Sequence, residues 1–529
     1  MKRSLSPRAA LGLALGASLL VIAAEALARP GGGQSFGGGS KSSGGSSSGG
    51  GGGGGAGLII DLVILLIRYP AIGVPVLIIV IVIFAVTKAK EGMKQNGWSS
   101  GGQTGPQISA SARAHAQAYG PAGQPPQAST RGPYGGRQKS PRERLEQLRG
   151  TDPDFSLVLF EDFLYALYAE AHQARGGNKL DRLAPYLSEA VRARLGQSAP
   201  GEVSSIVVGS MKITAVENHP PTRAGGAPWV VVTVDFESNF TETTGGKAQS
   251  YFVAERWKLS RAVNARSRPP GKANVFTCPS CGAPLDAMRG RTCSYCKQLV
   301  DTGELDWLVT EVSLLQRETR GPMLTGTTVE EGTNDPTIVA PDAGERYAAL
   351  TARDPALHWQ ALVGRVQLIF NEFQIGWSSQ DLGRMRPFLS DSLFQTQLYW
   401  IDTYKKAGLR NVTEGAHVLT VQLARVVNDR WFDSITLRVF ASGLDYTLDG
   451  GGHVVAGSRS KARDYSEYWT LIRGSGRTGA PRTEAVCPNC GAPLAINMTG
   501  HCTYCKAKVT TGEFDWVLSR IEQDEVYSA

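Results

Sequence analysis

Eight cysteines, the whole complement of this 529-residue chain, fall into two blocks of the same text. Cys278-Pro-Ser-Cys281-Gly-Ala-Pro-Leu is followed by Cys293-Ser-Tyr-Cys296-Lys and then Thr302-Gly-Glu-Leu-Asp-Trp307. Near the C-terminus, Cys487-Pro-Asn-Cys490-Gly-Ala-Pro-Leu is followed by Cys502-Thr-Tyr-Cys505-Lys and Thr511-Gly-Glu-Phe-Asp-Trp516. A Cys-x-x-Cys pair on a tight turn aims both sulfurs at one point. Two such knuckles supply the four thiolates that tetrahedral zinc takes in a closed structural site. The expectation is therefore two structural zinc ions, held by Cys278, Cys281, Cys293 and Cys296, and by Cys487, Cys490, Cys502 and Cys505. Glycine after Cys281 and Cys490 suits the positive φ of such a turn. Lys297 and Lys506 set positive charge beside a centre whose four thiolates and zinc sum to a net negative charge.

Two other readings of these cysteines stay open. A disulfide framework would need an oxidising compartment. Cys-Pro-x-Cys-Gly also resembles one knuckle of the rubredoxin-type iron proteins, although the second knuckle carries Lys where that pattern has Gly.

The elements that must position these knuckles repeat as well. Asp152-Pro153 matches Asp354-Pro355, Leu183-Ala-Pro185-Tyr-Leu-Ser188 matches Met385-Arg-Pro387-Phe-Leu-Ser390, and Glu255-Arg-Trp257 matches Glu467-Tyr-Trp469. In each copy helical spacing comes first, at Leu157, Phe160, Leu164, Leu167 and Ala171, and at Val366, Ile369, Phe373 and Trp377. The period then changes to two, with Val230, Val232, Val234 and Phe236 on one face and Ile435, Leu437 and Val439 on the corresponding one. Helices followed by a strand meander predict an α+β fold with helices packed on one face of an antiparallel sheet. The cysteine blocks fall between the strands bearing Trp257 or Trp469 and an apolar return segment that begins at Trp307 or Trp516. They therefore read as insertions between the last two strands. The domains so predicted are 151–318 with a ribbon at 276–303, and 351–529 with a ribbon at 485–512, joined by a linker at 319–350.

The N-terminal quarter has a different character. Lys2, Arg3 and Arg8 precede an apolar run ending in Ala26-Leu-Ala28, the pattern of a secretory signal over 1–28. Residues 29–57 are a Gly/Ser-rich tether. Residues 58–87 are apolar apart from Asp61 and Arg68 and predict one transmembrane helix. Lys88, Lys90 and Lys94 follow it directly, which places the rest of the chain on the cytoplasmic side of a bacterial inner membrane, where thiols stay reduced. Residues 88–150, with ten Lys/Arg against three Glu, read as a basic disordered linker. The formal net charge of +8 is concentrated in these first 150 residues, so the folded part is mildly acidic. That balance argues against a nucleic-acid-binding domain.

This layout resembles the Tim-forty-four-like family, whose members include a mitochondrial inner-membrane translocase subunit and bacterial inner-membrane proteins. The matching residues are Leu183-Ala-Pro185-Tyr-Leu and Met385-Arg-Pro387-Phe-Leu, ahead of strands ending in Trp257 and Trp469. The resemblance implies tandem cone-shaped domains, similar to nuclear transport factor two, each enclosing an apolar cavity. The two copies and their cysteine blocks depart from the family plan.

Three function classes follow. The first is a membrane-tethered, non-enzymatic binding or scaffold protein, assisting protein translocation or membrane-protein assembly through a protein partner, an unfolded polypeptide, a lipid or an apolar ligand. The second is a cavity enzyme of the isomerase or dehydratase kind, for which Tyr165, Tyr168, His172 and Asp235 are the available groups. The third is nucleic-acid binding through the ribbons, where Arg289, Arg291, Lys297, Lys506 and Lys508 are offset by Asp286, Asp301, Glu304, Asp306, Glu513 and Asp515. No Walker loop, dinucleotide fingerprint or Ser-His-Asp order is present.

Overall fold

Val230, Val232, Val234 and Phe236 are fully buried while Asp235 and Glu237 lie on the other side, and this alternation sets the inner face of a curved sheet. The computed structural model describes residues 139–198, 200–219, 229–273, 275–325 and 332–528. The signal at 1–28, the Gly/Ser tract at 29–57, the span at 58–87 and the linker up to residue 138 lie outside the described residues. Among the described residues no helix is long and apolar enough to cross a membrane.

The first half runs α1 (Pro141–Glu146), α2 (Leu157–Gly176), α3 (Glu189–Gly196), β1 (Glu202–Glu217), β2 (Trp229–Thr244), β3 (Lys247–Ala262) and β4 (Leu308–Glu318). The second runs α4 (Ala343–Arg353), α5 (Trp359–Ser379), α6 (Asp391–Lys406), β5 (Arg410–Asn428), β6 (Phe432–Leu448), β7 (Val454–Gly474) and β8 (Val517–Gln523). Each half folds its four strands as an antiparallel meander in chain order. The α+β architecture expected from the two periodicities is therefore present twice.

The two sheets agree to the residue. Ile213, Val234, Trp257 and Val312 lie side by side across β1 to β4, and Leu423, Leu437, Trp469 and Ile521 make the same row across β5 to β8. The register of β1 against β2 slips at Ser204/Val207, Val208/Ser210 and Ile213/Ala215, and that of β5 against β6 slips at Glu414/His417, Val418/Thr420 and Leu423/Arg425. Three bulges at matched places bend each long first strand across its helix. Helix α2 buries Leu157, Phe160, Leu164, Leu167 and Ala171 in one core, and α5 buries Val366, Ile369, Phe373 and Trp377 in the other.

The repeated Pro-aromatic-Leu-Ser motif now has a physical role. Ser188 and Ser390 cap α3 and α6, accepting from the amides of Val191 and Leu393 at 3.3 Å each. The leucines before them, Leu187 and Leu389, bridge in parallel to Val309 and Leu518 at the start of the return strand. The motif thus pins the chain as it re-enters the sheet from the ribbon.

Two linker assignments end differently in the structure. Within 88–150, Ser140 and Glu143 form a capping box that starts α1, and Leu145 and Leu148 are fully buried. Within 319–350, α4 begins at Ala343 and buries Tyr347 and Leu350. Both helices are short and sit in polar, charged surroundings, so only burial against a distant sheet distinguishes them from linker.

The halves meet through a small apolar patch and a network of charge. Val158 and Leu159 of α2 pack with Phe432, Ile472 and Val517. Arg142 lies between Glu161 at 3.0 Å and Glu522 at 2.7 Å, Arg520 also pairs with Glu161, and Arg425 pairs with Glu146.

Asp152 and Asp354, the acids of the repeated Asp-Pro pairs, are buried counterions of Arg261 (3.0 Å) and Arg473 (2.8 Å) at the ends of β3 and β7. Removing one partner strands a buried charge, which costs about 3–5 kcal/mol. Asp354→Ala is therefore expected to destabilise the second half by that amount in urea titrations followed by tryptophan fluorescence. A loss below about 1 kcal/mol would show that the stranded guanidinium is resolvated, because an exposed pair contributes no more than that.

Candidate metal centres

Each ribbon leaves the sheet at the end of the third strand and returns through a tryptophan to the fourth, as the position of the cysteine blocks predicts. The exit and return are tied together. Ala262 N–H donates to the Gly303 carbonyl at 2.9 Å, and Gly474 N–H donates to that of Gly512 at 2.8 Å. Gly303 and Gly512 have φ of 71° and 79°, and a Cβ there would meet the Ser260 carbonyl at 3.2 Å or the Ile472 carbonyl at 3.1 Å. The repeated Thr-Gly-Glu text follows from that close approach. The arginine of each buried ion pair then lies over the returning ring, Arg261 at 4.9 Å from the Trp307 centroid and Arg473 at 4.6 Å from Trp516.

Within the first ribbon the sulfurs of Cys278, Cys281, Cys293 and Cys296 all lie within 4.8 Å of one another, and those of Cys487, Cys490, Cys502 and Cys505 do the same in the second. Cys278 to Cys296, Cys281 to Cys293, and Cys487 to Cys505 are each 3.8 Å apart. Thiolate–metal bonds of about 2.3 Å in a tetrahedron put sulfurs about 3.8 Å apart, whereas a disulfide needs about 2.05 Å. All eight cysteines are free thiols, so the disulfide reading does not hold here. The donor set fits a tetrahedral, thiophilic ion, and each cluster could hold one.

The knuckle backbone is alike at all four turns. The N–H of the residue four after the leading cysteine closes each one, Gly282 to Cys278 (2.8 Å), Lys297 to Cys293 (2.9 Å), Gly491 to Cys487 (2.9 Å) and Lys506 to Cys502 (2.9 Å). These four residues have positive φ, between 60° and 77°. Lys297 and Lys506 therefore occupy a conformation that favours glycine, and their ammonium groups donate back to the carbonyls of Ser294 (2.7 Å) and Thr503 (2.8 Å). Each lysine places a positive charge at the second knuckle while bracing the turn.

The thiols within a site differ. Burial pushes Cys278 up to about 12 and Cys487 up to about 11. Cys296 is held at about 6 by the Gln298 amide, and Cys505 at about 6 by the Asn489 side chain, whose Nδ2 donates to its sulfur at 3.4 Å.

The ribbons dock on their domains by different means. In the first, Cys278, Cys293, Met288 and Val300 pack on Ala184, and the Tyr186 hydroxyl donates to the Thr277 carbonyl at 2.7 Å. In the second, Arg386 stands where Ala184 does and donates to the Met498 carbonyl at 2.8 Å. It also pairs with Asp391, which takes Lys508 of the ribbon at 2.6 Å. Burial opposes ionisation of Asp391, but Lys508 and Arg386 hold its carboxyl below the ordinary value.

The groups available for cavity catalysis are distributed otherwise. Tyr168 and His172 are fully buried beside Trp257. The Tyr168 hydroxyl shares a hydrogen bond with Ser238 at 2.7 Å, and His172 Nε2 meets Glu255 at 3.0 Å. Glu255 also accepts from the Trp257 indole at 3.0 Å, and Glu467 does so from Trp469 at the same distance. Burial raises Glu255, yet His172 and Trp257 bring its carboxyl below the ordinary value. This polar network lies within the packed core. Tyr165 lies on the other side of α2, lining a cleft, and Asp235 is on the outer sheet face, paired with Arg256 at 2.7 Å. The four groups do not converge. The buried Asp–Arg pairs are the site residues that motif reading passed over, although the repeated Asp-Pro and the matched spacing of Arg261 and Arg473 from Trp257 and Trp469 carried the signal.

Cys293→Ser and Cys502→Ser are each expected to lower bound metal by one ion per chain, measured by elemental analysis of purified full-length protein. Retention of both ions by either variant would remove that cysteine from the ligand set.

No curated protein sequence matches this chain. Among solved structures, an Ntf2 like protein involved in plasmid conjugation aligns over 62% of this chain and 95% of its own, at 8% identity and a TM-score of 0.15, too low to argue from. Residues 343–482, from the start of α4 to the segment entering the second ribbon, match the family model of the Tim44-like domain, so the likeness read from Met385-Arg-Pro387-Phe-Leu and Trp469 is shown for the second half.

Proposed function

We propose that this protein is a membrane-tethered, non-enzymatic scaffold in which two cone-shaped Tim44-like domains, each braced by a structural zinc ribbon, hold a protein partner or unfolded polypeptide at the cytoplasmic face of an inner membrane. The observation that carries the reading is the use of the interior polar groups. In the first half Tyr168 is engaged by Ser238, and His172 and Trp257 by Glu255, in a packed core, and the second half repeats the glutamate–tryptophan bond. A cone-fold enzyme keeps such groups facing a substrate. Four sulfurs per metal site leave no coordination position for chemistry either.

The extension to the first half rests on the shared strand order, the matched bulges and the paired Asp–Arg–Trp contacts. Surfaces suited to a protein partner are present on that half. Strand β4 is at the sheet edge and exposes Leu314 and Leu315, and the knuckle tyrosine Tyr295 faces solvent, as does Tyr504 on the second half. The tether rests on the apolar run 58–87 and the lysines after it.

Removing residues 1–94 is expected to move the protein from the membrane pellet to the soluble fraction, and persistence in the pellet would overturn the tether. Purified protein is expected to be colourless with two zinc ions per chain. A visible sulfur-to-iron absorption band would replace zinc with iron. Crosslinking in intact membranes is expected to capture polypeptide, and turnover of a small molecule by the purified chain would overturn the scaffold reading.

A further inference from the structure

The halves differ most in the helix that follows the capping serine. Helix α3 has 8 residues and α6 has 16. The added length carries Tyr399 and Asp402 over the bulged part of β1, and a cleft of about 670 Å³ lies between α6, α2 and that strand. The shorter α3 cannot reach so far, so the cleft arises from the asymmetry of the two copies. Small residues keep it open, with Ala166 and Ala169 on α2 and Gly209 on β1, while Ile206, Val208, Leu393 and Ile521 make its walls apolar. The volume is that of a small-molecule site.

Its charges are unequal. Asp162, Asp391, Asp402 and Arg520 line the cleft. Asp391 is taken by Arg386 and Lys508, Asp402 by Lys406, and Arg520 by Glu161. Asp162 makes no ion pair among the described residues, and its hydrogen-bond partner is the neighbouring Ser392. Burial pushes its carboxyl up to about 6, with the Glu161 and Asp391 charges adding to the rise and the Arg520 charge opposing it.

We infer that this cleft binds an amphipathic organic cation, an alkylamine or arylalkylamine, with its ammonium on the Asp162 carboxylate and its apolar chain along Ile206, Val208 and Leu393. An ammonium would supply the direct ion pair that Arg520, engaged by Glu161, does not make with Asp162, and charge-assisted hydrogen bonds are strong. A fatty acid of the same length would bring its carboxylate to three others, with the one arginine already engaged. The inference stands apart from the scaffold reading, since it needs neither the tether nor the ribbons.

The test uses full-length protein, a diazirine-bearing alkylamine and mass spectrometry of the labelled peptides. Labelling is expected on the α2 and α6 peptides that contain Tyr165 and Tyr399, and to be competed by octylamine but not by equal octanoate or octanol. Asp162→Asn is expected to weaken octylamine competition at least about tenfold, as loss of one charged hydrogen bond does. Ala169→Trp, which fills the cleft, is expected to abolish labelling while both metal ions are retained. Equal competition by octanol or octanoate, labelling confined to other surfaces, or an unchanged Asp162→Asn profile would each overturn the inference. The competitor series on the unaltered chain decides the matter even if a variant fails to fold.

Discussion

A buried aspartate, a buried arginine and a tryptophan ring hold each half of this protein in register with itself. Asp152 and Asp354 stand at the start of a domain, Arg261 and Arg473 at the end of its third strand, and Trp307 and Trp516 where the chain returns from the ribbon. These three places are far apart in sequence, and each long excursion carries a loop-closure cost before its contacts form. The ion pair is costly to desolvate, so its value lies less in net stability than in permitting one arrangement of entry, exit and return. The ring above the guanidinium and the glycine that lets the exit strand touch the return turn complete the same junction.

Once that junction is made, the ribbons are free to differ in how they sit. Ala184 offers the first ribbon a small apolar seat, and Arg386 offers the second an ionic clamp through Asp391 and Lys508. The sulfur geometry is insensitive to the change, because each knuckle is closed by its own backbone hydrogen bonds and positive-φ residue. A metal held this way would shorten the effective loop between the third and fourth strands, so folding and metal binding would be linked.

The charge network between the halves belongs to the same logic of specification. Arg142, Arg425 and Arg520 are buried or nearly so, and each is answered by a glutamate. Burial opposes the charge on Glu161, but Arg520 and Arg142 bring its carboxyl below the ordinary value. Such a network tolerates little sliding, and it fixes β8 beside α2, where the lengthened α6 lines a cleft with both of them.

Local pattern determined much of this by itself. Period-two valines named the inner sheet face, helical spacing named the faces of α2 and α5, and Cys-x-x-Cys pairs at one repeated gap named the eight sulfurs, because each is dictated by neighbours a few residues away. The short helices α1 and α4 were hidden, since a six-residue capped turn, or an eleven-residue helix without a side-chain cap, looks like linker until Leu145 or Leu350 finds a distant core. Tyr168 and His172 could be seen as chemically able groups, yet their enclosure by Ser238, Glu255 and Trp257 depends on which strands curl over them. Only the tertiary structure paired Asp152 with Arg261 and Asp354 with Arg473, left Asp162 outside the ion pairs of the described residues and opened a cleft beside it. Long-range electrostatics and packing carry no periodic signature along a chain.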